Sequence, residues 1–310
     1  MSGLAPSSTF FTEPPHWQWL IIFYFFIGGL AGGTYVLAAL IDFFGRTIDR
    51  PLARLGYYVA FPATVVSGLL LIVDLTRPLR FWHMLLESNT WQPMLKTYSP
   101  MSVGSWALLL FGAVTLVSFL AALGDAGRLR WRWLARLRPP TIAGGLVAVV
   151  GAALGFFIAS YTGVLLAVTN RPIWSDTTVL GLNFLLSSAS TSAALLVLLA
   201  WFRWRVTFGI HALERFDAWV LVVELLALIA LVVSLGEVAR VWLGAWGALL
   251  LVGVVILGIV LPLVLLWRTL RFTRAGVATA VASVLVLVGG FIFRIVVVLS
   301  SEQATRGMGA

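Results

Sequence analysis

Two polar motifs interrupt this chain at points where the residue types could do chemistry. The first, Asp74-Leu-Thr-Arg-Pro-Leu-Arg-Phe-Trp82, carries a carboxylate, two arginines and a tryptophan. The second, Ser99-Pro-Met-Ser-Val-Gly-Ser-Trp106, follows after a short connection. A carboxylate can take part in proton transfer, and arginine and tryptophan are enriched where proteins dock. The motifs therefore mark a region where a soluble redox partner and a lipid-soluble substrate could meet.

The rest of the chain is apolar enough to put these motifs at the edge of a membrane. Of its 310 residues, 61% are hydrophobic and 11% are charged, whereas a soluble domain has about 25% charged residues. The absence of cysteine excludes disulfides and cysteine-ligated iron–sulfur clusters from this chain. Any metal redox centre must therefore belong to a partner. Because residues 1–16 lack a basic segment, we expect no cleaved signal peptide.

The apolar runs predict the elements that must position the motifs. A membrane helix needs about 20 mostly apolar residues, and eight runs reach that length: 17–41, 54–73, 102–123, 141–165, 179–201, 217–235, 245–267 and 277–299. They predict an all-α integral membrane protein with eight transmembrane helices. We expect two four-helix bundles, formed by residues 1–165 and 166–310.

The distribution of basic residues orients the helices. Fourteen arginines lie in the connections after spans 1, 3, 5 and 7, and only six basic residues lie on the other side. Because basic residues favour the cytoplasmic side, we predict that both termini and the loop 74–101 face outward. Aromatic residues accompany the arginines of segment 128–138, which indicates lipid headgroups as its partner rather than nucleic acid.

Ionisable groups inside the predicted spans are costly and are often functional. Glu224 lies within the sixth span, and Ser188 and Thr191 lie in the fifth at a similar depth. These residues predict either a file for protons or hydrogen bonds that hold helices together. For Arg294, in the last span, we predict a structural ion pair with Glu237 or Asp74.

The histidines give no basis for a membrane haem. A b-type haem most often has two histidine ligands within the helix bundle, and the chain has only His16, His83 and His211. The first two lie at the predicted outer boundary, and the third lies in a predicted cytoplasmic loop. We expect His83 to be a solvated loop residue, and we expect neither haem nor another metal in this chain.

Several motifs, taken in order, resemble the NrfD/polysulfide reductase membrane-subunit family. They are the glycine pairs of Gly28-Gly-Leu-Ala-Gly-Gly33, the two loop motifs, Tyr161-Thr-Gly-Val-Leu-Leu166 and the closing Phe293-Arg294. The resemblance implies a haem-free membrane anchor that binds a quinone, either menaquinone or ubiquinone. It also implies a ferredoxin-like iron–sulfur partner, which carries a molybdopterin catalytic subunit, on the outer face of a prokaryotic cell membrane.

The resemblance and the loop composition together assign the candidate site residues. By resemblance, Tyr161 lines the quinone pocket, and His16 falls where polar quinone contacts are expected; Asp74 is a further candidate. We predict that Arg77, Arg80, Trp82 and Trp91 dock the partner. The alternative function is a secondary transporter that uses Glu224, although the two halves of the sequence show no convincing repeat.

Overall fold

The computed structural model describes residues 17–75, 77–204, 208–272 and 276–308. This part of the chain is helical, and its only β pairing is an isolated bridge between Leu86 and Pro93. The first six spans are single helices: α1 (Trp19–Phe44), α2 (Arg50–Asp74), α3 (Pro100–Asp125), α4 (Ile142–Ala167), α5 (Leu180–Trp204) and α6 (Phe208–Leu235). The seventh combines α7 (Ala245–Leu249), a π-helical stretch (Leu250–Val260) and α8 (Leu261–Phe272), and the eighth is α9 (Val277–Met308).

The architecture confirms the predicted fold class. Eight helices within the described ranges are long and apolar enough to cross a membrane. The largest differences from the predicted boundaries, nine residues each, are the start of α6 at Phe208 rather than at 217 and the end of α9 at Met308 rather than at 299. His211 therefore belongs to a helix and not to a loop. The polar pattern misled the prediction because Glu214, which precedes the predicted start, is buried rather than exposed to solvent.

The glycines of α1 allow two helices to approach it closely. A Cβ atom at Gly32 would collide with the backbone oxygen of Gly155 in α4. On the other side, a Cβ atom at Gly29 would collide with the hydroxyl of Ser188 in α5. Small residues at such crossings let helices pack through close van der Waals contact in a membrane. The glycine motif therefore makes α1 the central helix of the molecule.

The packing of α1 joins the two halves of the chain. Within the first half, α1 packs against α2 and α4, and α3 completes the group. In the second half, α5 packs against α6 and α9, and the seventh span packs mainly along α9. A seam runs between the two halves. Helices α1 and α4 line one side of it, and α5 and α9 line the other.

The connections lie at two ends of the helices. We call the end with the connections that follow α1, α3 and α5 the arginine-rich end. The opposite end, with the loop 75–99 and the connection 168–179, is called the motif end. Because the number of spans is even, α1 begins and α9 finishes at the motif end.

A buried arginine fixes the arginine-rich end of the first half. Arg138 donates from Nε to Asp42 Oδ2 at 2.8 Å and from Nη1 to Asp125 Oδ2 at 2.5 Å, so it links α1 to α3. Burial alone would lower the pKa of the Arg138 guanidinium. The hydrogen bond and charge of Asp42, aided by Asp125, more than offset burial, so the pKa is raised above its ordinary value. The Arg138 side chain therefore stays charged and holds α1 and α3 together through its two ion pairs.

Candidate quinone and partner site

Residues 77–99 of the loop form an ordered structure. A 3-10 helix, Pro78–Met84, starts it, and a turn follows in which the amide of Trp91 donates to the carbonyl of Glu87 at 2.8 Å. The rings of Trp82 and Trp91 are stacked, with centroids 5.2 Å apart and planes 3° from parallel. The ring of His83 also stacks on that of Trp82, with the two centroids 3.8 Å apart. These contacts build a rigid aromatic unit at the motif end.

The outer surface of this loop carries the predicted docking residues. Arg77 and Arg80 are exposed, and Trp91 is exposed although its ring is stacked on Trp82. Leu79 and Tyr98 expose 90% and 82% of their surfaces. Arginines beside exposed aromatic residues are the composition of a protein docking surface. The geometry is compatible with the predicted role.

The second motif ties this loop to the membrane helices. Ser99 caps α3 by accepting a hydrogen bond from the amide of Ser102. The hydroxyl of Ser102 and the indole N–H of Trp106 both donate to the carbonyl of Met94, at 3.4 and 3.1 Å. The serines and the tryptophan of this motif thus hold the loop on the first turns of α3. This gives them a structural role that the sequence alone did not assign.

Tyr161 meets the start of α3. Its hydroxyl donates a hydrogen bond of 2.6 Å to the carbonyl of Pro100, and its ring stacks on Phe157 at 5.3 Å. A Cβ atom at Gly104 would collide with the Tyr161 hydroxyl oxygen, so only glycine leaves room for the tyrosine there. The structure thus joins the tyrosine motif to the second loop motif. The Tyr161 oxygen keeps lone pairs that could accept a further hydrogen bond.

The other two predicted quinone contacts are placed less directly. Asp74 is exposed at the last residue of α2, at the motif end. His16 lies outside the described residues. Its neighbour Trp17 is buried and belongs to the same apolar cluster as Tyr161 and Tyr24. The site is thus a region of the motif end rather than a closed pocket. Two open cavities lie away from these residues: one of about 510 Å³ at the arginine-rich end, and one of about 610 Å³ between the end of α6 and the seventh span.

The connection 168–179 adds residues that the sequence prediction missed. Trp174 is fully buried and donates its indole N–H to the carbonyl of Val297 in α9 at 2.8 Å. Its ring stacks on Trp17 at 5.3 Å, and the Arg171 guanidinium lies 5.2 Å from the same ring system. Burial lowers the pKa of Arg171, with the charge of Glu302 acting in the opposite direction. A tryptophan near a predicted membrane boundary resembles an interfacial anchor, so nothing in the sequence pattern indicated this burial.

The intramembrane charges form one network. Arg294 is fully buried and donates to the hydroxyls of Ser187 and Ser188 at 3.2 and 3.0 Å. It also donates to its own helix, at the carbonyl of Gly290. Glu224 is buried in α6, where it lines a narrow gap with Thr191 of α5 and Gly290 of α9, and it interacts electrostatically with Arg294. The structure therefore brings together the polar residues that the sequence predicted separately: Ser188 of the fifth span, Glu224 of the sixth and Arg294 of the last.

The predicted ion pair between Arg294 and Glu237 is wrong. Glu237 is exposed at the motif end and lies 3.6 Å from Arg240. Asp74, the other predicted partner, is exposed at the end of α2. Arg294 lies 17 residues into α9, too deep to reach the boundary, and the small side chains of α5 supply its hydrogen bonds instead.

More buried acids extend the network toward the arginine-rich end. Asp217 accepts a hydrogen bond of 2.8 Å from Ser190, and Glu214 accepts one of 2.8 Å from Thr279. Next to them, His211 Nδ1 lies 3.1 Å from Glu214 Oε2. The sequence signal was present, since acids at 214, 217 and 224 share one face of a helix. It was missed because Glu214 was assigned to a loop and Asp217 was taken as the first residue of the span.

Within the described ranges, no group of three histidine, aspartate or glutamate side chains is arranged to hold a metal ion. The geometry instead defines a polytopic membrane protein with an ordered aromatic loop at one end and a buried charge network in its second half.

The chain belongs to the NrfD family: the model described as "Polysulphide reductase, NrfD" matches residues 7–305. It is 32% identical to a chain of the polysulfide reductase of Wolinella succinogenes, over 80% of this protein and 82% of that relative. It is 29% identical to protein NrfD of Escherichia coli K12, over 84% and 87% of the two proteins. A shorter match is to a subunit of the selenate reductase of Mesobacillus selenatarsenatis. The two proteins are 26% identical over 32% of this chain and 21% of that relative.

Proposed function

We propose that this chain is the haem-free, quinone-reactive membrane subunit of a respiratory molybdoenzyme complex. It passes electrons between an iron–sulfur subunit and the quinone pool. Family membership over nearly the whole chain supports a role as a membrane subunit, and two relatives are components of polysulfide and selenate reductases. Membership of this family also argues against the transporter alternative.

The contact between Tyr161 and Pro100 carries the proposal. It puts the candidate quinone residue directly beneath the exposed loop 75–99, which is tied to the same turns of α3. A quinone near Tyr161 and an iron–sulfur subunit docked on Arg77 and Arg80 would then be close neighbours. Electrons would pass between them without a cofactor in this chain.

The sequence supports the lack of a redox metal in this subunit. It contains no cysteine, and its histidines are far apart along the chain at positions 16, 83 and 211. His83 stacks on Trp82 in the loop, and His211 lies at the start of α6. Iron–sulfur and molybdopterin chemistry therefore belongs to the partners.

The orientation is also part of the proposal. The excess of arginine at the arginine-rich end assigns that end to the cytoplasm and the motif end to the outside of a prokaryotic cell membrane. The partners then dock on the outer face. The buried group of Glu224, Ser188 and Thr191 supports a further role in moving protons, because ionisable groups are retained inside membranes mainly for function.

The proposal is tested by purifying the complex through a tag on this chain and identifying its partners by mass spectrometry. We expect a ferredoxin-like subunit and a molybdopterin subunit in equal amounts with this chain. The chain purified alone should show neither a haem Soret band nor an iron–sulfur signal. A stoichiometric haem in the purified chain would contradict the haem-free subunit.

A further inference from the structure

The cavity of about 510 Å³ at the arginine-rich end opens between the two halves of the chain. One face of α2 lines it with Pro51, Arg54, Leu55 and Tyr58, which recur at helical spacing. The ends of α3 and α5 supply its other walls. Because membrane helices of this length end near the membrane surface, the cavity lies at the level of the lipid headgroups.

Three arginines from different elements line this cavity. Arg54 comes from α2, Arg128 from the connection after α3, and Arg203 from the end of α5. Asp125 Oδ2 lies 3.7 Å from Arg54 Nη1, but the same oxygen is also paired with Arg138. Among the described residues, no carboxylate lies within ion-pair distance of Arg128 or Arg203. The cavity thus holds two positive charges that this part of the chain does not neutralise.

The end of α3 fixes the backbone of Arg128. Gly127 has a φ of 69°, in the left-handed region that favours glycine, and its amide donates to the carbonyl of Gly124 at 3.1 Å. The next amide, that of Arg128, donates to the carbonyl of Leu123 at 3.0 Å. These two hydrogen bonds form a Schellman motif, which ends the helix in a defined geometry. Arg128 is therefore positioned by an ordered helix end rather than by a free loop.

Tyr58 forms an amphipathic wall of the cavity. Its hydroxyl donates to the carbonyl of Ala122 in α3 at 3.1 Å, and its ring packs edge-on against Phe119, with centroids 5.7 Å apart. The Arg128 guanidinium carbon lies 5.7 Å from the centroid of the Tyr58 ring, within the range of a cation–π interaction. Nearby, Leu55 packs on a buried apolar cluster. The cavity thus combines cations with ordered apolar surface.

This combination favours the phosphate groups of an anionic lipid. Arginine binds phosphate through two parallel hydrogen bonds, and basic pockets between membrane helices bind phosphate-bearing lipid headgroups. A soluble anion would use the arginines alone, whereas the glycerol and upper acyl carbons of a lipid also bury the apolar surface of Leu55 and Tyr58. A cation at the end of a helix is favourable by itself, but this does not explain why arginines from both halves converge on one cavity.

We propose that this cavity binds an anionic phospholipid with two phosphate groups, and that Arg128 and Arg203 each neutralise one of them. Two uncompensated cations match two phosphodiesters of one negative charge each. The bound lipid joins α2 and α3 of the first half to α5 of the second. In the proposed orientation it belongs to the cytoplasmic leaflet. The cavity lies at the end opposite the quinone and docking residues, so the inference does not depend on the proposed function.

The test measures lipid binding to the full-length chain, purified in detergent and freed of native lipid. Native mass spectrometry counts the lipids bound during titration with tetraoleoyl cardiolipin, which has two phosphates, and with dioleoyl phosphatidylglycerol, which has one. Inorganic phosphate is the soluble probe, and the melting temperature reports the binding of all three. We expect one tightly bound cardiolipin per chain, with an affinity at least tenfold higher than that of phosphatidylglycerol, and no change in melting with phosphate.

The double variant Arg128→Gln with Arg203→Gln should lower the affinity for cardiolipin at least tenfold and abolish the rise in melting temperature that the lipid causes. Arg130→Gln with Arg136→Gln is the matched control. It removes two exposed charges at the same end, outside the cavity, and should bind cardiolipin as the wild type does. Arg128→Lys keeps the charge but loses the planar fork of donors, so we expect a severalfold loss of affinity.

Melting without added lipid shows that each variant is folded, and Arg203→Gln alone, at an exposed position, replaces the double variant should that one misfold. Cardiolipin affinity that is unchanged in the cavity variant, or lowered equally in the control, would overturn the site. Equal affinity for phosphatidylglycerol would overturn the two-phosphate ligand. A melting temperature raised by inorganic phosphate in the wild type but not in the cavity variant would overturn the lipid and assign the cavity to a soluble anion.

Discussion

The hydroxyl of Tyr161 donates a 2.6 Å hydrogen bond to the carbonyl of Pro100, the first residue of α3. The contact joins two motifs that lie 61 residues apart in the chain. It also places a tyrosine that lies within a membrane helix directly below the loop that is exposed at the surface. The proposed electron route depends on this proximity.

Replacing Tyr161 by phenylalanine should slow quinone turnover while the complex still assembles. The change removes one hydroxyl and keeps the ring that stacks on Phe157. A neutral hydrogen bond contributes about 0.5–1.5 kcal/mol, so we expect a loss of severalfold in quinol kcat/KM. Tyr98→Phe, at an exposed tyrosine in the loop, is the control. Wild-type quinol kinetics in the purified Tyr161→Phe complex would remove this residue from the site.

Replacing Arg138 by glutamine should destabilise the chain. The variant leaves the carboxylate of Asp42, which is only 1% exposed, without its cation. Breaking a buried ion pair from one side typically costs about 3–5 kcal/mol. Thermal denaturation of the purified complex in detergent measures the effect. The exposed Arg136→Gln should change the melting temperature little, and equal melting of the two variants would show that the Arg138 tie is unimportant.

Replacing Arg77 and Arg80 together by alanine should release the iron–sulfur partner into the soluble fraction. Both arginines are exposed beside the aromatic unit of Trp82 and Trp91, and arginine is a frequent hot-spot residue in interfaces. Cell fractionation and immunoblotting measure the released partner. The pair Arg130→Ala and Arg136→Ala, at the opposite end, should retain it. Full retention by the loop variant, at a normal level of this chain, would argue against docking on this loop.

The proposed orientation predicts which end an impermeant reagent can reach. Cysteine introduced at Ser88, in the exposed turn of the loop, should react with an impermeant thiol reagent in intact cells that lack the partner. Cysteine introduced at Arg132 should react only after the cells are broken. Because the natural chain has no cysteine, each signal comes from one site. The reverse pattern would mean that the helices are inverted and that the partner is cytoplasmic.

The sequence predicted the membrane helices well because their signal is local. Each span is a run of apolar residues, and the glycines of α1 predicted close packing that Gly29 and Gly32 confirm. Likewise, the arrangement of motifs identified the family. The partner of Arg294 could not be predicted in this way, because Ser187 and Ser188 are more than 100 residues away in the chain.

The candidate site was predicted only in part for the same reason. The loop motif was visible, but the dependence of Tyr161 on Gly104 arises from the packing of α3 against α4. Glu214 was assigned to a loop, and Asp217 to the first position of the sixth span, because composition does not distinguish a polar connection from the buried face of a helix. Trp174 was equally ambiguous, since tryptophan near a membrane boundary is common at the lipid surface.

The central claim is that electrons pass between the quinone and the iron–sulfur partner through this subunit. The most direct measurement mixes the oxidised complex rapidly with a short-tailed quinol and follows reduction of the partner's clusters by their absorbance and by electron paramagnetic resonance. We predict rapid cluster reduction in the intact complex, slower reduction with Tyr161→Phe, and none in the partner subunits purified without this chain. Cluster reduction at the same rate without this chain, or no reduction in the intact complex, would contradict the account.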